Sequence, residues 1–293
     1  MKAENLAKST LRWAKFWEKL GKTLHNARFC PKITISEIFP SIEDEFAPYK
    51  EFFRGSILNA GAGNRDIGHL VAGTLFNQDI PEGLHNANIH IYSPLHEIPK
   101  PDGFFDTIIC NAVMEHVRNP HEVMDEFARV CKPGGHLYLG IPFMQPEHKD
   151  PADFQRYTQD GICELVNKHG FDVVKVEGVH SVYTSMAWFC HDWLNSKQTV
   201  TYFFLKLTLF PYLRRKCLGS KYQINSLQSC YRVLARRRGC TGKPDEALMG
   251  LQKESPTDIP LPVPADHLEL RKLFAAPCAV ATVASSLGSS DPG

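Results

Sequence analysis

The sequence lacks several features that would fix a function class at once. Its nine cysteines include no CxxC pair, so the common zinc ribbons and dithiol redox motifs are absent. The count is odd, and Cys110, Cys163 and Cys190 sit inside apolar runs. We therefore read the thiols as small hydrophobes in a reducing, cytoplasmic compartment, with no disulfide frame and no metal. No run of about 18 apolar residues is present to span a bilayer. The start of the chain, MKAENLAKSTLRWAKFWEKLGK, lacks the uninterrupted apolar core of a signal peptide. Charge of one sign is not in excess either. Lys plus Arg is 33 and Asp plus Glu is 32, so nothing general argues for a polyanionic partner such as nucleic acid. Finally, no G-x-G-x-x-G occurs, which speaks against a dinucleotide-dependent dehydrogenase.

What is present is enough for a large core. Hydrophobic residues make up 43% of 293 positions, which excludes global disorder. The chain divides by composition into four parts. Residues 1–50 hold an N-terminal helix and an aromatic cap region, and 51–180 alternate strands with helices. Residues 181–240 are aromatic-rich and read as a helical cap or membrane-facing segment, broken at Pro211. Residues 241–293 are rich in Pro, Ser and Gly and read as a mobile tail. In the first helix Trp13, Trp17, Leu20 and Leu24 recur at helical spacing. That pattern suits a packing face, and contact with a headgroup layer is the alternative. The aromatics beside Arg214, Arg215 and Lys216 raise the same pair of readings, with peripheral membrane contact as the sharper one.

Within 51–180 the order is informative. SILNA reads as a strand that runs into the glycine turn GAGN. DIGHLVAG reads as the start of a helix or an irregular equivalent, TLFNQDI as a second strand and NIHIYSP as a third. FFDTIICNAV reads as a central strand, and NPHEVMDEFARVC as an amphipathic helix stopped by KPGG. HLYLGIPF, a helix capped by Thr158, and FDVVKVEGV follow. Alternation of this kind predicts an open, doubly wound α/β sheet, with ligands at the carboxyl ends of its strands. Asp79 ends the second strand, where a carboxylate can accept both hydroxyls of a ribose. The fourth strand ends in Asn111, followed by Glu115 and His116. The fifth runs into the polar loop PFMQPEHKDPADFQRYT.

Taken together, NAGAGN, NQDI, FDTIICNAVMEHVRNPHEVMDEFARVCKPGG and the Pro142–Thr158 loop resemble the class I S-adenosylmethionine-dependent methyltransferases. The likeness is to the methyltransferase type 11 group, in its bacterial-like branch, over residues 50–180. It implies a Rossmann-like, mostly parallel seven-stranded sheet with a reversed last strand and helical additions. It also implies S-adenosylmethionine as cofactor. Asn59, Gly61, Gly63, Asp79, Asn111 and Glu115 would line the cofactor, without any cradle for phosphates. Methyl transfer from a sulfonium needs alignment more than strong acid–base groups. His116 and His148 are nonetheless candidates for a base, the catalytic residues of this reading. Asp153, Arg156 and Tyr157 would orient the acceptor, or would brace their own loop. The acceptor is expected to be a small molecule or a glycan- or lipid-linked group. Asn59, Arg65 and Ser93 depart from the family's usual acid, glycine and acid at these places. They motivate the alternative, a non-catalytic binding or scaffold protein that keeps the fold.

Overall fold

The computed structural model describes residues 2–27, 33–81, 88–219 and 227–239. All of them fall in the first of two units, residues 1–248; the second, 249–293, with the tail expected to be mobile, lies outside the described residues.

Seven strands form one sheet. They are β1 (Arg54–Ala60), β2 (Ala72–Asp79), β3 (Ile91–Tyr92), β4 (Phe105–Asn111), β5 (Cys131–Pro142), β6 (Phe171–Val179) and β7 (Cys230–Arg237), in spatial order β3-β2-β1-β4-β5-β7-β6. The first five pair in parallel, and β7 runs antiparallel to both β5 and β6. The reversed strand is thus the last in sequence but lies between its neighbours. Strand order turns back between β1 and β4, so the switch point for ligands lies beyond Ala60 and Asn111.

Alternation along the strands sends side chains to two cores. On one face Leu58, Ile108, Leu137 and Val233 pack under α3 (Pro120–Val130) and α4 (Gln159–Lys168). Val123, Met124, Phe127 and Val130 make the buried stripe of α3, at the spacing of one helix face. Thr158 caps α4 as expected, its Oγ1 accepting the Gly161 N–H at 3.2 Å. On the other face Ile57, Ile109, Tyr138 and Leu234 meet Phe46 of α2 (Ile42–Phe46), Tyr49 and Phe53. Edge-to-face contacts join Phe46, Tyr49 and Phe53 to Tyr138. A third core, with Ile38, Ala187, Leu194, Phe210 and Leu213, binds α5 (Val182–Asn195) to α6 (Val200–Gly219). The first helix, α1 (Lys2–Asn26), crosses α6 where a Cβ on Gly21 would stand 2.3 Å from the Gln198 carbonyl oxygen.

Several expectations are corrected. Residues 181–240 are not wholly helical, because β7 at their end completes the sheet. Helix α6 runs through Pro211 without a break. Of the two readings for the stretch after β1, a helix or an irregular equivalent, the second holds, as a 3-10 turn at Gly68–Leu70. KPGG belongs to the start of β5 rather than to a helix stop, and Gly134 there has φ +79°. Trp13 and Trp17 are 57% and 51% exposed, so the packing face of α1 lies along Leu20, Gly21 and Leu24 instead. No helix among the described residues is long and apolar enough to cross a membrane.

Candidate active site

The glycine turn after β1 is tied to β2 through all three of its amides. Gly61 N–H donates to Gln78 Oε1 at 3.0 Å, Ala62 N–H to the Gln78 carbonyl at 2.9 Å, and Gly63 N–H to Asp79 Oδ2 at 2.8 Å. Gly61 and Gly63 take φ +64° and +53°, which glycine adopts without a Cβ penalty. A Cβ at Gly61 would meet Val113 at 2.6 Å, whereas one at Gly63 would meet nothing within 4 Å. Gly63 therefore borders open space. Asp79 also accepts the Ile80 N–H through Oδ1 at 2.8 Å. Each carboxylate oxygen keeps a lone pair for a further donor.

Asn59 is buried and spends its amide on Asn77, donating to Oδ1 at 3.0 Å. The expected contact with a cofactor is thus directed into the sheet at this residue. Arg65 does not point outward. Its Nη2 donates back to the Gly61 carbonyl at 3.1 Å, and burial pulls its pKa down. Ser93 is buried with an unpartnered Oγ. Asn111 packs its amide over Gly140, where a Cβ would lie 1.8 Å from Asn111 Oδ1. Beyond it Ala112 holds φ +53°, a strained setting for a residue with a Cβ. Its N–H is anchored to the Gly140 carbonyl at 2.8 Å.

Across the switch point the structure brings together Glu115, His116 and His148. Glu115 is fully buried, and neither carboxylate oxygen has a hydrogen-bond partner. Nε2 of His116 stands 3.7 Å and Nε2 of His148 3.6 Å from Glu115 Oε1, both beyond hydrogen-bond length. The loop carrying His148 is fixed to the Glu115 turn. Phe154 N–H donates to the Glu115 carbonyl at 2.8 Å, and Gln155 Nε2 to the Met114 and Val117 carbonyls, each at 2.9 Å. Asp153 grips Arg156 through two bonds and accepts the His148 N–H at 2.9 Å. With its side chain only 3% exposed, Asp153 braces this loop, the alternative weighed for it above. Arg156 Nη2 also lies 3.3 Å from His148 Nδ1, and Tyr157 Oη donates to Gln155 Oε1 at 3.1 Å. Trp188 of α5 covers His148, with ring centroids 5.4 Å apart.

Trp188 and Gln155 carried no motif signal, and only proximity reveals them. Nor did the sequence signal that Glu45 of α2 would pair with His180 at 2.9 Å and Arg232 at 3.2 Å.

Residues 44–176 match the family model of a methyltransferase domain. This region is thus similar to methyltransferase domains. The sheet order, with its antiparallel seventh strand, meets the expectation drawn from the motifs. The chain is 47% identical over 45 residues to a tRNA U34 carboxymethyltransferase of Syntrophotalea carbinolica, a match that spans 15% of this chain and 14% of that protein. Among solved structures it is similar to a methyltransferase from Aquifex aeolicus dependent on S-adenosylmethionine (20% identity, TM-score 0.42, 70% of this chain and 100% of that one). It is also similar to one from Archaeoglobus fulgidus (15% identity, TM-score 0.43, 67% and 93%).

Proposed function

We propose that the chain transfers a methyl group from S-adenosylmethionine to a small-molecule or glycan- or lipid-linked acceptor. The observation that carries this reading is the use of the glycine-turn amides. A dinucleotide site leaves such N–H groups, and the helix after them, free for a pyrophosphate. Here all three amides are bound to β2, and the turn is followed by no α-helix before β2. What stays available is Asp79 for a ribose, the open side of Gly63, and the unpartnered Ser93 hydroxyl at the end of β3 for a base. That set suits a nucleoside carrying no phosphate.

In the reaction an acceptor lone pair forms the new bond to the methyl carbon. The carbon–sulfur bond breaks, and its electron pair neutralises the sulfonium. The acceptor proton leaves to the Glu115, His116 and His148 cluster, with Arg156 and Tyr157 holding the loop that presents His148. Exposed apolar side chains on α1 (Leu11, Trp13, Phe16, Trp17), α5 (Met186, Phe189, Trp193) and α6 (Phe204, Leu207, Tyr212) support a lipid-linked acceptor reached at a headgroup layer.

The test is calorimetry on the full chain with S-adenosylmethionine, S-adenosylhomocysteine and a nicotinamide dinucleotide. Micromolar affinity for the first two, about −8 kcal/mol, and none for the third is the expected result. Preference for the dinucleotide, or no binding to about millimolar, would overturn it. A second reading, binding without turnover, draws on Asn59 and Arg65, whose polar groups are turned to the protein. It predicts the same affinities with no labelled methyl transferred to any acceptor.

A further inference from the structure

The Glu115, His116 and His148 cluster has the form of a metal centre, an assignment made neither from the motifs nor from the family. We propose that it binds one divalent first-row transition ion, of which zinc is the plainest probe. The three donor atoms lie within 4.8 Å of one another. Two donors held about 2.0–2.2 Å from one ion at a near-tetrahedral angle stand roughly 3.3–3.6 Å apart. The separations of 3.7 and 3.6 Å between Glu115 Oε1 and the two Nε2 atoms stand within about 0.1 Å of the long end of that spacing and are too long for hydrogen bonds.

The second observation is the carboxylate itself. Glu115 is 0% exposed and both its oxygens lack a partner, a costly state for a buried acceptor. The half-buried Arg65 does not serve it, since its guanidinium is bonded to the Gly61 carbonyl. A cation coordinated by Glu115 would satisfy the carboxylate directly.

The far nitrogens of both rings complete the argument. His116 Nδ1 lies 2.6 Å from the Ala152 carbonyl oxygen. A carbonyl only accepts, so Nδ1 carries a proton donated there, and Nε2 is the ring atom turned to Glu115. His148 Nδ1 lies between the Pro146 carbonyl at 3.2 Å and Arg156 Nη2 at 3.3 Å, within reach of one acceptor and one donor, while its Nε2 is turned to Glu115. Metal-bound imidazoles are commonly oriented by such a bond from the other ring nitrogen. Two imidazoles and one carboxylate form a set that leaves positions open. The side chains of His116 and His148 are 16% and 30% exposed, so those positions face the side from which an acceptor enters. With the ion bound, Glu115 and the two Nε2 atoms would be its ligands in place of the proton acceptor proposed above, and an acceptor oxygen taken up by the ion would lose its acidified proton to solvent. The pair formed by His121 and His169 is a useful contrast. Its rings bond each other at 2.8 Å, and His169 bonds Asp125 at 2.6 Å, so no lone pairs converge.

This inference does not depend on methyl transfer. The full chain, stripped with a chelator and dialysed, is titrated with Co²⁺ alone and followed by its visible absorption, then back-titrated with Zn²⁺. One Co²⁺ per chain, bleached by Zn²⁺, is expected. His116→Ala and His148→Ala should each weaken binding about 100-fold, while His121→Ala changes nothing. Thermal melts without metal establish that the variants are folded. The proposal is overturned if the wild-type chain shows no saturable one-to-one Co²⁺ spectrum. It is equally overturned if folded His116→Ala and His148→Ala proteins keep their affinity. Calorimetry with S-adenosylmethionine on the same stripped protein separates the two conclusions. Cofactor bound without any metal uptake sinks the centre alone, and metal bound without cofactor sinks the methyltransferase reading alone.

Discussion

The two ends of the sheet are built from similar residues and treat them differently. At the amino edge Asp106 accepts the Ser56 N–H at 2.9 Å and Lys132 Nζ at 2.7 Å, and Thr107 Oγ1 donates to the Phe52 carbonyl at 2.7 Å. Arg129 ties Glu126 to the carbonyls of Ile98 and Lys100. A hollow of about 400 Å³ does open at this edge, lined by Arg54, Asp106, Lys132 and His136 among others, yet the acids there are already paired. At the carboxyl edge Glu115 and Ser93 are buried without partners, and Ala112 is strained. Polar groups that stabilise the fold find their partners within it. Buried groups without such partners carry a cost in stability.

The contrast can be broken or sharpened by substitution. The largest effect is expected from Gly73→Ala at the amino edge, where a Cβ would lie 2.0 Å from the Gly55 carbonyl oxygen. Backbone cannot yield as a side chain does, so stability should fall by about 3 kcal/mol in chemical denaturation. Cofactor affinity of the fraction still folded should stay unchanged. Next comes Asp79→Ala at the carboxyl edge. It removes a charged acceptor, and calorimetry should show S-adenosylmethionine bound about 10–100-fold more weakly. His148→Ala should change that affinity far less; equal losses would remove the ribose role from Asp79. Asp106→Ala should cost about 1 kcal/mol of stability and leave cofactor binding alone. A loss of binding there would erase the distinction between the edges.

The smallest expected effect is on pH dependence. At Glu126 burial acts to raise the pKa, but the Arg129 hydrogen bonds, the Ile98 N–H and the Arg129 charge together outweigh it, so the carboxyl titrates below its ordinary value. A depressed folded-state pKa contributes stability above the unfolded value, lost as pH falls through the folded one. The wild-type melting temperature should therefore drop in the acid range below about pH 4.5. In Glu126→Gln that drop should be shallower.

Much of the sheet was legible because its strands are short apolar runs punctuated by turn residues. β6 was read residue for residue as FDVVKVEGV, and the Thr158 cap followed from one hydroxyl before a helix. β7 was not legible. CYRVLARR carries three arginines, and its aliphatic residues are masked by the aromatic helices before it. Only the gap between β5 and β6 makes it a strand. Pro211 misled because a helix can absorb a proline when its packed faces hold it, and Phe210 and Leu213 do so here. At the site, loop position could nominate His116 and His148 but could not show that they face one carboxylate oxygen. That depends on where the loop after β5 folds back. Arg65 shows the same limit, since chain order does not say which way a long side chain turns.

The placement of β7 has a consequence for synthesis. Among the described residues β6 pairs with β7 alone, and β7 joins it to β5. As the chain leaves the ribosome, the parallel half of the sheet can assemble while β6 still has no neighbour. It must wait through the whole of α5 and α6 for residues 230–237 to emerge. Contacts closed over so long a stretch form slowly and leave an unpaired strand exposed meanwhile. The nascent chain thus passes through a stage in which one strand is an open edge, and translation speed across the aromatic helices sets how long that stage lasts.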